Sequence, residues 1–91
     1  MNEFLFELVE RQRKLAEKAL SSLLTGKSTE KSEQLKSCLE TILELSDENT
    51  AMVDVESILQ MNKRQLQMTS MLLSSVYVNQ IFADRKLEQQ I

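Results

Sequence analysis

The chain has 91 residues, 14 of them acidic and 11 basic, for a net charge of −3 at pH 7, with one cysteine, one glycine, no histidine and no proline. A chain this short builds one small core, and a single thiol offers no intramolecular disulfide to reinforce it. The lack of histidine excludes the usual zinc ligand sets and every nucleophile–histidine arrangement, and the acidic balance opposes binding to a phosphate backbone.

The opening MNEFLFELVERQRK does not have the form of a signal peptide, because acids lead it and its apolar run is short. A lone thiol behind such a start fits a reducing compartment, so a cytoplasmic location is expected. Asn2 is a candidate cap for a first helix over about residues 3–24, with Glu3 and Glu7 near its positive end. The apolar stripe of that helix is Leu5, Leu8, Val9, Leu15, Ala16, Ala19, Leu20 and Leu23. Gln12 projects near the middle of the stripe, where a polar side chain either sets register or occupies a partly wet position.

Thr25-Gly26 ends this helix, with Gly26 expected in the left-handed conformation that glycine takes at low cost. Gly26-Lys27-Ser28 matches the tail of a phosphate-binding loop, but the glycine that motif needs five residues earlier is Ser21. A second helix over about 29–46 starts from Ser28 or Thr29, with Glu30 and Glu33 in its first turns. Leu35, Cys38, Leu39, Ile42 and Leu45 line its inner face, which makes Cys38 a small core residue rather than a reactive thiol.

The run Ser46-Asp47-Glu48-Asn49-Thr50 is rich in capping residues and favours a turn, but it holds neither glycine nor proline, so a continuous helix through it is the alternative. From about residue 50 to 89 the helical period continues, predicting a last helix of about 40 residues, roughly 60 Å long. Met52, Leu59, Leu66, Leu73 and Leu87 recur at multiples of seven, with Gln80 interrupting and Val55, Asn62, Thr69, Val76 and Ala83 between. Leucine at a with β-branched residues at d disfavours a parallel two-stranded coil and favours a helix packed on several neighbours. Met61, Met68, Leu72 and Phe82 form a second seam, on which Met61 and Met68 are expected to be core, with a permissive binding groove as the alternative. The basic clusters Arg11-Arg13-Lys14, Lys63-Arg64 and Arg85-Lys86, and the acidic pairs Glu40-Glu44 and Asp54-Glu56, have the pattern of solvated helix faces. No nucleophile, anion loop or metal shell accompanies them, so neither an enzyme nor a cofactor is expected.

Residues 65–83 carry no formal charge. The stretch has about the length of a membrane span, but eight of its side chains are amides or aliphatic hydroxyls, which are costly in hydrocarbon. The two earlier helices, about 33 and 24 Å long, cannot cover a 60 Å rod, so an apolar overhang is expected from about residue 74. Leu73, Val76, Tyr77, Ile81, Phe82 and Leu87 are therefore the candidate interface residues, with Tyr77 and Phe82 as anchors.

The expected fold is all-α and a single domain over 1–91. It is a three-helix antiparallel bundle or helical hairpin with a long C-terminal helix, in a homodimer or higher oligomer. The expected function is protein–protein interaction, as an adaptor, inhibitor or chaperone-like subunit that binds itself or another protein. Leu59-Gln60, Ser74-Ser75-Val76 and Gln90-Ile91 give the C-terminal third a similarity to the last helix of type III secretion needle and rod subunits. That resemblance implies polymerisation through the helix, and hence a structural subunit of a secretion or flagellar-type assembly as the alternative. The Asn-Pro or Asp-Pro turn of needle subunits has no counterpart here. A nucleic-acid-binding regulator is the third reading.

Overall fold

Four pairs of polar residues, each three apart, set where the later helices begin. In the computed structural model, which describes residues 3–90, the Thr29 hydroxyl accepts the Ser32 N–H at 3.0 Å and the Ser32 hydroxyl accepts the Thr29 N–H at 2.7 Å. This reciprocal box opens α2 (Glu30–Glu44), after α1 (Glu3–Thr25). Ser46 caps the Asn49 N–H and starts α3 (Asp47–Ala51), and Asp54 caps the Ser57 N–H and starts α4 (Val55–Leu59). Asn62 and Gln65 form a second reciprocal box, 2.9 Å in each direction, that opens α5 (Lys63–Gln90). Among the described residues the chain is all-helical, with no strand.

The expected single helix over 50–89 is thus three helices. Its period continues through residues 52–54 and 60–62, but the side chains of Asp54 and Asn62 take the N–H groups that helix propagation would use. The break at 46–50 is present, with Ser46 as the cap. The expected Asn2 cap lies outside the described residues. Gly26 follows α1 as expected, but neither it nor any other described residue has positive φ. The helix instead closes by a tight turn, Gly26 N–H to Leu23 O at 3.4 Å, beside a Thr25 hydroxyl bond to Ser22 O at 3.1 Å.

α1 and α2 pack together across the short 26–29 connection. The α3–α4 crossover then lies along α1, where Arg13 pairs with Asp47 at 2.7 Å and also donates to Leu45 O at 3.2 Å. Further along, Arg11 pairs with Glu56 at 3.1 Å. This return path brings the start of α5 back to the start of α2. Lys63 pairs with Glu30, the Cys38 thiol lies 3.6 Å from Leu66 O, and Gln80 reaches Glu44 O at 3.2 Å. Residue numbers rise together along both helices, so α2 and α5 run parallel. This corrects the antiparallel expectation for the last helix, and the cause is the crossover that the single-helix reading omitted.

The core sits where α1, α2, the crossover and the first half of α5 meet. Ala16, Leu39, Ile42, Val55 and Leu66 are fully buried there. Full burial of each larger aliphatic side chain stabilises the fold by about 1.5–3 kcal/mol. Gln12 is buried among them rather than partly wet, and its Oε1 accepts the Val55 N–H at 3.0 Å. A side chain of α1 therefore satisfies an N–H group at the start of α4 that has no partner within its own helix.

Candidate functional site

Once the Asn62–Gln65 box has started α5, leucine, methionine and glutamine continue it as good helix formers. Its 28 residues span about 42 Å, against about 22 Å for α2. One face is used by the chain itself. Leu66 and Leu73 enter the core, Tyr77 packs against it, and the Thr69 hydroxyl donates to the Met61 sulfur at 3.1 Å. At the end of this face Gln80 Oε1 accepts the Ser46 N–H at 2.7 Å and an Asn49 amide N–H at 3.1 Å. Cover by the chain therefore extends to Gln80, about two turns beyond the expected limit at residue 74. The reason is the parallel course of α2, which brings the α2–α3 corner beside residue 80.

The opposite face is open. Met68 is 64% exposed, Met71 72%, Val78 45% and Phe82 63%, with exposed Ser75 between them. Met68, expected in the core, lies on this outer side because α2 occupies the face centred on Leu66 and Leu73. On one flank, exposed Leu72 and Val76 border a groove of about 370 Å³ whose other wall is the crossover, with Met52, Val53 and Ile58. Among the described residues no helix is long and apolar enough to cross a membrane.

The six sequence candidates separate accordingly. Leu73 is 7% exposed and belongs to the core, so it supports the surface from beneath. Tyr77 and Ile81 are half-buried, and Val76 stands at the groove. Phe82 and Leu87 are exposed. Sequence reasoning left out Met68, Met71 and Leu72, although the spacing of residues 68, 71, 75, 78 and 82 carried a signal for the first two. Cys38 offers no chemistry at this surface. It is buried behind α5, and burial raises its thiol above the ordinary value despite an opposing bond to Ser70.

No protein-family model, curated protein or solved structure matches this chain.

Proposed function

We propose that this chain is a non-enzymatic helical interaction module, an adaptor, inhibitor or chaperone-like subunit, that binds a second copy of itself or another protein through α5. One observation carries the reading. Between Arg64 and Asp84 the helix has no charge, yet only one of its faces is covered, and Met68, Met71, Leu72 and Phe82 stand mostly exposed. Continuous apolar patches of this kind on small proteins mark places where another surface docks. Methionine, unbranched and polarisable, suits a contact that must adapt to its partner.

A photo-crosslinking residue placed at Val78, with a control at exposed Glu17 on α1, tests this in cells. The expected result is a discrete adduct from position 78 and none from position 17. No adduct at 78, or the same adducts from both positions, would remove the reading.

A second reading, a subunit of a polymeric secretion or flagellar-type assembly, draws on exposed Phe4 and Phe6 of α1. Head-to-tail polymers require two different complementary patches, and these phenylalanines supply a second one. Filaments whose mass grows with concentration and which Phe6→Asp abolishes would favour it over a closed complex.

A further inference from the structure

The exposed side of α5 has a regular spacing. Met68, Met71, Ser75, Val78 and Phe82 are separated by 3, 4, 3 and 4 residues, the a/d seam of a two-stranded coiled coil. Leu66, Leu73 and Gln80, which face the chain's own α2 corner and core, fall at f in the same heptad. Over two heptads the helix thus carries an a/d seam pointing away from its own fold.

The geometry points to a second copy of this chain as the occupant, its α5 lying antiparallel along this seam. The inference rests on the interaction reading above and names the partner. One argument, charge, favours it over a foreign helix, and a second, area, shows that the chain carries surface enough for a stable dimer.

The first is charge. The seam is bounded by Arg64 and Arg85, both at d. In a parallel pair each arginine would oppose its own copy, a like-charge contact at both ends. In the antiparallel register that sets Ser75 opposite the second copy's Val78, Met71 meets Phe82, Met68 meets the stem of Arg85, and Arg64 meets Gln89. No like charges oppose each other across the seam. Methionine sulfur against a phenylalanine ring is a favourable contact, and serine at the crossing allows close approach. A two-fold contact must match itself, and this sequence does so in one orientation.

The second is area. A compact chain of 10.5 kDa exposes about 5,400 Å², whereas this one exposes 6733 Å². The surplus, roughly 1,300 Å², exceeds the ~800 Å² that each partner gives to a standard interface. The radius of gyration agrees, at 14.2 Å against about 12 Å for a compact chain of this length.

The test is molar mass by light scattering on the purified chain, with Met71→Glu and Phe82→Asp variants, and disulfide trapping between Ser75→Cys and Val78→Cys chains. The expected mass is twice 10.5 kDa. Each charged variant should weaken the dimer by roughly 30-fold or more while leaving helicity unchanged, since both side chains are exposed in one chain. In a mixture of the two cysteine variants, the 75–78 disulfide should form faster than 75–75. A monomer at high concentration, a dimer indifferent to both charged variants, or preferred 75–75 trapping would overturn the inference. If the purified chain is monomeric while position 78 still yields a heavier adduct in cells, only the second copy is excluded. Absence of both signals removes the interaction reading as well.

Discussion

Gln80 and Ser46 are 34 residues apart, yet the Gln80 side-chain oxygen accepts the Ser46 N–H at 2.7 Å, while its amide nitrogen donates to Glu44 O at 3.2 Å. One amide thus serves a free carbonyl at the end of α2 and a free N–H at the start of α3. Gln80→Ala leaves both without a protein partner. The expected cost is about 1–2 kcal/mol, at the low end for unsatisfied groups because the corner is only part-buried. A lowered urea midpoint with an unchanged slope, and faster hydrogen exchange at Ser46, would record it.

Gln12 and Val55 form a deeper version of the same arrangement. Gln12→Leu keeps the volume but strands a buried N–H, at an expected cost of about 1–3 kcal/mol. The loss should concentrate at the crossover, so exchange at Val55 and its neighbours should rise more than exchange in α2.

Gly26→Ala should be neutral or stabilising, by up to about 1 kcal/mol. The backbone there has no positive φ, and an added methyl would lie 3.5 Å from Ser22 O, an ordinary contact. A loss of more than about 1 kcal/mol in thermal or urea unfolding would contradict this conformation.

Leu39→Ala and Leu72→Ala separate core from surface. The first empties a fully buried site and should cost about 2–5 kcal/mol. The second trims a side chain that is 67% exposed, and should change the stability of the single chain by no more than about 0.5 kcal/mol. Unfolding under conditions that keep the protein monomeric measures both.

Stability should fall toward both extremes of pH. Glu30 is held below its ordinary value by its bond to and the charge of Lys63, and Asp54 by hydrogen bonds from Ser57. Their contribution is present above the ordinary carboxylate range and is lost as pH falls through the lowered folded values. For Cys38 the sign is reversed. Burial raises its value, so its contribution is whole below the ordinary thiol range and is lost as pH rises through the raised one. Urea midpoints should drop on acidification, and the drop between about pH 8 and about pH 10 should be smaller in Cys38→Ala.

Local sequence makes the chain helical, ends α1 and begins α2 where they are found, and sets which sides of those two helices are buried. These features depend on contacts three or four residues apart, and the Thr29 box, the Ser46 cap and the Leu39–Ile42 stripe all lie within that range. The same reasoning gave one helix over 50–89, because apolar period alone does not register a cap that competes with helix propagation. Polar residues at 46, 54 and 62, eight apart, were the available sign. The parallel course of α5 along α2, and the choice of which face of α5 remains open, come from long-range packing alone. Those outcomes depend on residues 28 to 43 apart, Cys38 with Leu66, Glu44 with Gln80 and Gln12 with Val55, and no local pattern specifies such pairings.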